Sequence, residues 1–182
     1  LHAGEMLIYE GVDVVFKLHT KRSKHRADGE QWRRELIESL LEGDRSKVIT
    51  GAFRSDPTLG IVAPEGHILP MNYYWGANER AVHHLIARMG VGKIDKELDT
   101  FVSGSMFWVR HTALRPILDM HLEPSSFESE KGQVDGTLAH AIERVFAHCC
   151  RETGLNVIST AALCGSKSKT GKAYPYASRS NS

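Results

Sequence analysis

The chain has few cysteines, almost no net charge and no long apolar run, and each shortage excludes a class of protein. Two of its three cysteines are adjacent, so neither a disulfide framework nor a zinc-ligand spacing is present. This cysteine usage favours a reducing compartment. The formal net charge of +1 excludes polyanion binding that depends on overall charge. No apolar stretch approaches the length of a transmembrane helix.

The rest of the composition is that of an ordinary globular domain. Apolar residues make up 41% and charged residues 25% of 182 positions. This length predicts one domain, which we place at residues 1–164. Residues 165–182 are rich in Ser, Lys and Gly and lack periodicity, so we expect a disordered tail there.

Strand and helix patterns alternate along the domain. Apolar, β-branched runs predict strands at residues 12–20, 59–63, 100–110 and 155–160. Apolar residues at helical spacing predict helices that start near residue 28 and end at Gly43, and at 79–89, 112–120 and 135–151. Residues 47–53 fit either type. The alternation predicts an α/β fold with helices on both faces of a layered sheet. Ligands bind such sheets beyond the carboxyl ends of the strands.

The first predicted strand runs into a dense basic stretch. Seven basic residues and no acid occur between Lys17 and Arg26. Strand alternation places Lys17, His19 and Lys21 on one face, and Arg22 follows directly. The stretch is either a solvated basic loop or a cradle for an anion. Composition alone favours the solvated loop.

The start of the longest predicted helix carries a second candidate site. Asp135 is placed there as either a general base or the helix N-cap, and the pattern alone favours the cap. Glu128 and Glu130, just upstream, are alternative bases.

Two further groups of residues could contact a ligand. Gly136, His140 and Arg144 share one helical stripe and could reach a sugar or a phosphate, although Glu143 and Arg144 could equally form an exposed helix face. In the strand at 100–110, Ser103 and Ser105 supply hydroxyls, and Gly104 lets a ligand come close to the backbone. The adjacent Phe107 and Trp108 fit either core or sugar stacking, and we expect Trp108 to be core.

The aromatic loop at residues 72–80 and the His83–His84 pair have competing interpretations. The loop is either a sugar platform or a loop buried under a helix. The histidine pair fits a helix surface better than a metal site, because no Cys or carboxylate lies at ligand spacing from it.

Several of these segments together resemble a known family. The stretches "FKLHTKRS", "PTLGIVAP", "FVSGSMFWVR" and "GQVDGTLAHAIERVF" resemble the rhamnan synthesis protein F family of bacterial polysaccharide biosynthesis, over about residues 11–146. The resemblance implies a GT-A-type glycosyltransferase at the cytoplasmic face of the membrane. It also implies a nucleotide-diphosphate sugar donor such as dTDP-rhamnose, a lipid-linked glycan acceptor and other glycosyltransferase domains as partners. Family members are expected to carry a further nucleoside-binding stretch before the position of Leu1.

The resemblance also assigns roles to residues. Many GT-A enzymes bind a metal through an Asp-x-Asp motif, which this chain lacks. Lys17, His19, Lys21 and Arg22 are therefore expected to bind the donor diphosphate without a metal or other cofactor. Asp135 is expected to be the base. The expected sugar and acceptor contacts are Ser103, Gly104, Ser105, Gly136, His140 and Arg144.

Two other functions remain open at this stage. The first is a non-catalytic carbohydrate-binding or scaffold module of a polysaccharide synthase. The second is nucleic-acid binding through the basic stretch. The small net charge and the lack of a second basic surface weigh against nucleic acid as a partner.

Overall fold

Six strands form in the computed structural model, which describes residues 13–18, 29–129 and 135–165. They are β1 (Val14–Lys17), β2 (Leu59–Ala63), β3 (Ile68–Pro70), β4 (Thr100–Val102), β5 (Phe107–Arg110) and β6 (Asn156–Ser159). The predicted tail lies almost entirely outside the described residues.

Helices occupy most of the remaining described chain. They are α1 (Gly29–Leu41), α2 (Arg45–Ser55), α3 (Met71–Tyr74), α4 (Glu79–Met89), α5 (Arg115–Leu118), α6 (Leu138–Glu152) and α7 (Thr160–Cys164). Short 3₁₀ turns lie at Gly76–Asn78, His111–Leu114 and Pro124–Ser126. The ambiguous segment around residue 50 is helical, as part of α2.

The main sheet of the described chain has the strand order β1-β5-β2-β6. The middle strand β5 runs antiparallel to β1 and β2, and β6 runs parallel to β2. The carboxyl ends of β1, β2 and β6 therefore lie at one edge of the sheet, next to the amino end of β5. Strands β3 and β4 form a separate antiparallel pair.

Helices cover both faces of this sheet, as the α/β prediction requires. On one face, α4 and α6 pack on Ile61, Phe107 and Val109. On the other face, α2 packs on Leu59 and Val62, and α1 packs around Met106 and Trp108. Each large apolar side chain buried in these layers stabilises the fold by about 1.5–3 kcal/mol.

The predicted strand at residues 100–110 is two strands in two different sheets. Gly104 has φ +79° and Ser105 has φ +50°, so the backbone turns sharply between β4 and β5. Residues with a Cβ atom rarely adopt such φ values, whereas glycine does so freely. The turn places residues 103–105 at the edge of the main sheet where β1 ends.

Candidate active site

The cation at the end of β1 points into the fold. Lys17 is the register partner of Phe107, so both side chains lie on the α6 face. Its Nζ donates to the Ser105 carbonyl at 2.7 Å and lies 5.6 and 5.3 Å from the ring centroids of Phe107 and Phe146. Burial lowers the pKa of Lys17, and the negative charge of Glu143 opposes that shift. Lys17 is thus held against the 103–105 turn.

The turn at residues 103–105 is fixed by contacts from two other segments. The Ser103 amide donates to the His67 carbonyl at 2.9 Å, and the Ser103 Oγ lies 3.1 Å from His67 Nδ1. The Gly104 amide donates to Glu143 Oε1 at 2.9 Å. The turn therefore connects β4 to α6 as well as to Lys17.

Gly104 also allows α1 to approach the sheet edge. A Cβ at this position would lie 3.0 Å from Leu36 Cδ1 and 3.1 Å from Trp32 Cζ2. The side of Gly104 on which a Cβ would stand is therefore occupied by protein. The predicted sugar contact at Gly104 would therefore have to be made on the opposite side of its backbone, and it stays a prediction.

Glu143 and Arg144 are mostly buried, which contradicts the interpretation as an exposed helix face. Their side chains are 20% and 13% exposed, and their charged groups lie 3.3 Å apart. The guanidinium of Arg144 lies 4.3 Å from the ring centroid of Phe101, and its Nε donates to the Tyr74 carbonyl at 3.0 Å. Lys17, Glu143 and Arg144 form one charged cluster beside the 103–105 turn.

The interpretation of Asp135 as the helix N-cap is wrong. Helix α6 begins at Leu138, and its N-cap is Thr137, whose side chain accepts from the His140 amide. The Leu138 amide donates to the Glu128 carboxylate, 3.0 Å from one oxygen and 3.2 Å from the other. These two side chains provide the capping that the sequence suggested for Asp135.

Asp135 instead bridges to the turn before α4. One carboxylate oxygen, Oδ2, accepts from the Ala77 amide at 3.0 Å. The other, Oδ1, accepts from the Gly136 amide at 3.0 Å and from the Asn78 side-chain amide. A carboxylate offers about four acceptor positions, so the described part of the chain leaves about one of them for a ligand. Asp135 is held in one orientation by segments nearly sixty residues apart in sequence.

The structure brings only part of the predicted helical stripe to the charged cluster. Arg144 belongs to it, as described. His140 turns back to its own helix start, where its Nδ1 lies 2.6 Å from Thr137 Oγ1. Gly136 is exposed and has φ +78°. Sugar contacts by these residues stay predictions.

Several predicted residues lie outside the described chain. These are His19, Lys21 and Arg22 of the basic stretch, and Glu130. The other alternative base, Glu128, is exposed and caps α6. Hydrogen bonds from its own amide and from the Leu138 amide lower the pKa of Glu128, which makes its carboxylate a weaker base.

The predicted aromatic loop at residues 72–80 covers most of α3, a 3₁₀ turn and the start of α4, and its tryptophan is core. Trp75 is 7% exposed and packs in the apolar cluster under α4. This position fits the buried-loop interpretation and excludes Trp75 as a sugar platform. His83 and His84 are exposed on α4, as expected. Within the described ranges, no three His, Cys, Asp or Glu side chains come together in a way that could hold a metal ion.

Sequence reasoning missed two buried polar residues of the site. His67 is 4% exposed, and burial lowers its pKa to about 4, so its ring is neutral at physiological pH. Asn78 has no exposed surface. Both stand in turn-rich segments, where a polar residue is normally solvated, so no pattern marked them as buried.

Comparisons with known proteins agree with the resemblance found in the sequence. The family model described as rhamnan synthesis protein F matches residues 2–155. Two relatives, each called uncharacterized protein WxcX, come from Xanthomonas campestris pv. campestris strains B100 and ATCC 33913. Each is 47% identical over 176 residues, which cover 97% of this chain and 25% of the relative. The chain thus spans a quarter of the length of these curated relatives. No solved structure gives a significant match.

Proposed function

Because this chain belongs to the rhamnan synthesis protein F family, we propose that it is the glycosyltransferase part of a polysaccharide-synthesising protein. The family description ties the chain to polysaccharide synthesis. The proposed reaction moves a sugar from a nucleoside diphosphate to a growing cell-surface glycan, with dTDP-rhamnose as the first candidate donor. The proposed domain is of the GT-A type.

One observation carries the proposal. The cation Lys17, the carboxylate of Glu143 and the 103–105 turn meet at the sheet edge where the parallel strands end. That edge is where α/β sheets bind their ligands. The basic residues His19, Lys21 and Arg22 follow Lys17 directly in the sequence. Together they form the proposed binding site for the diphosphate.

The chemistry needs one base and one group of fixed cations. In the proposed step, Asp135 accepts the proton of the acceptor hydroxyl while that oxygen forms a bond to the anomeric carbon. The bond from the anomeric carbon to the diphosphate oxygen breaks, and the diphosphate leaves with the electron pair. Lysine and arginine side chains stabilise the charge that develops on the leaving group.

A second candidate, a silent carbohydrate-binding or scaffold module, is favoured by how fully the charged groups are engaged. Lys17 donates to a backbone carbonyl, Arg144 lies on an aromatic ring, and Asp135 accepts three hydrogen bonds. Such contacts also suit a domain whose charged residues serve the fold alone. The two candidates differ in whether donor is consumed.

The test is a transfer assay on the full-length protein with dTDP-rhamnose and a lipid-linked rhamnan acceptor. We expect extension of the acceptor by rhamnose and release of dTDP. Lys21→Ala and Arg22→Ala should each weaken donor binding by about 1–3 kcal/mol, the range for hydrogen bonds to charged groups. Lys47→Ala is the matched control, because Lys47 is 83% exposed and forms an exposed ion pair with Asp44.

Two results would contradict the proposal. Binding of a rhamnan oligosaccharide without turnover of any nucleotide sugar would favour the silent module. Unchanged donor affinity in both basic-stretch variants would assign Lys21 and Arg22 to solvent.

A further inference from the structure

The buried side-chain amide of Asn78 forms hydrogen bonds to its own turn and to residues 135–136. It has no exposed surface. Its Nδ2 donates to the Trp75 carbonyl at 3.2 Å and to the Asp135 carboxylate, while its Oδ1 accepts from the Gly136 amide at 3.1 Å. A buried polar side chain is costly unless it is bonded in this way. The amide is therefore built into the contact between residues 75–78 and residues 135–136.

The two carboxylate oxygens of Asp135 accept different numbers of hydrogen bonds in this contact. Oδ1 accepts from Asn78 Nδ2 and from the Gly136 amide. Among residues 13–18, 29–129 and 135–165, only the Ala77 amide donates to Oδ2. Each carboxylate oxygen has about two lone-pair positions, so Oδ1 is saturated and Oδ2 keeps one position open.

We propose that Asn78 is a positioning residue: it saturates Asp135 Oδ1 and so leaves Oδ2 as the oxygen that takes the proton of the acceptor hydroxyl. The inference rests on the proposed role of Asp135 as the base. It adds which oxygen acts and which side chain selects it. Asn78 itself touches neither substrate.

An asparagine suits this role for a specific chemical reason. One end of its amide must donate to a carboxylate and the other must accept from a backbone amide, and only a neutral amide of this length does both. An aspartate would place two carboxylates side by side, and a serine is too short to make both contacts.

The test is steady-state kinetics on the full-length protein with dTDP-rhamnose and a lipid-linked rhamnan acceptor. In Asn78→Ser and Asn78→Asp, kcat should fall by about 10²-fold, the usual effect of a misplaced catalytic group. KM for both substrates should stay within about twofold, because no substrate contact is removed. The control is Asn72→Asp, which alters an exposed amide that bonds Glu97, and its kcat should equal that of the parent.

A double-mutant cycle separates positioning from a merely structural role. In an Asp135→Asn background, Asn78→Ser should lower kcat no further, because the group through which it acts is already disabled. An equal fold-loss in both backgrounds would overturn the inference. A parent-like kcat in both Asn78 variants, with Asp135→Asn inactive, would overturn this inference alone. Full activity of Asp135→Asn would overturn the base assignment in the proposed function.

A measurement on the parent fold keeps the inference testable if the Asn78 variants do not fold. The side-chain amide protons of Asn78 should move in the NMR spectrum on Asp135→Asn, while those of Asn72 should not. An unmoved Asn78 signal would overturn the proposed contact.

Discussion

At the residue scale, the start of α6 separates two roles that an aspartate can play. Thr137 caps the helix, and Asp135 is bonded to the turn before α4. We expect Asp135→Asn to lower turnover by about 10²–10⁴-fold, because an amide cannot accept the proton. The Asn side chain also turns one acceptor into a donor that faces an amide, so stability should fall by about 1 kcal/mol. Sugar transfer and thermal melting measure the two effects.

The control for this variant is Asp119→Asn. Asp119 is 60% exposed and pairs with Arg115 one helical turn away. That variant should change neither turnover nor melting temperature. A stable and active Asp135→Asn protein would limit Asp135 to a structural contact.

His67 makes the stability of the fold depend on pH. Burial lowers its pKa from 6.5 to about 4, opposed in part by Ser103 and by the charges of Glu35 and Glu65. As the pH falls, His67 therefore binds its proton at a higher pH in the unfolded chain than in the folded chain. The stabilisation is complete above about pH 6.5, declines as the pH falls, and is gone below about pH 4, a loss of about 3 kcal/mol.

Denaturant unfolding at a series of pH values measures this contribution. In His67→Gln the free energy of unfolding should fall less steeply between about pH 6.5 and pH 4 than in the parent. His83→Gln is the control, since His83 is exposed on α4, and its slope should match the parent. Equal slopes in all three proteins would contradict a neutral buried His67.

At the element scale, the turn between β4 and β5 depends on Gly104. Gly104→Ala should destabilise the protein by about 1–2 kcal/mol for its positive φ. Its Cβ would also press on Leu36 and Trp32 at 3.0–3.1 Å, which adds a steric cost. Gly154→Ala is the matched control, because Gly154 has nearly the same φ, +78°, with nothing within 4 Å of its Cβ position. The melting temperature of Gly104→Ala should be lower than that of Gly154→Ala. Equal losses of stability would show that α1 shifts to accept the Cβ without cost.

Elements with a clear periodic or β-branched pattern were predictable from the sequence, the short strand β2 among them, and those without one were not. The periodic patterns of α1 and α4 gave the right helices, because the apolar stripe that packs on the sheet is also what the sequence displays. The sequence predicts a single strand that runs through Gly104. The chain instead changes sheet there, which the pattern does not show because strand propensity does not specify the pairing partner. Short elements such as β3 and α3 have too few residues for any period to show.

At the scale of the whole molecule, the thiols report on the fold. Burial raises the pKa of both Cys149 and Cys150 to about 12, while Cys164 is exposed. A thiol reacts as its thiolate, so only Cys164 should react quickly with an alkylating reagent in the native protein. Peptide mapping by mass spectrometry should find, of these three cysteines, label on Cys164 alone in the native protein and on all three after unfolding in denaturant. Rapid native labelling of Cys149 or Cys150 would contradict the packing of α6 on the sheet.

The position of the candidate site follows from the sequence and the fold rule, whereas the contacts within it do not. The rule for α/β sheets placed it beyond the end of β1, and Lys17 does meet the 103–105 turn there. The bridge joins residues 77–78 to residues 135–136. Ala77 and Asp135, which it connects, are 58 residues apart in the sequence. Local pattern carries no information about such a pairing, so the pattern alone favoured the cap over the base for Asp135.

At the scale of the whole molecule, the balance of charges in the proposed site predicts that donor binding needs no metal. The first strand ends at Lys17, histidine, lysine and arginine residues follow in the sequence, and the chain has no Asp-x-Asp motif to hold a divalent ion. Fixed side-chain cations would then neutralise the diphosphate. We expect the affinity for dTDP-rhamnose, measured by calorimetry on the full-length protein, to be the same with EDTA as with added Mg²⁺. Affinity should fall as salt is raised, because partly exposed charges are screened. A strict requirement for Mg²⁺ or Mn²⁺ would instead show that carboxylates carry the diphosphate through a metal.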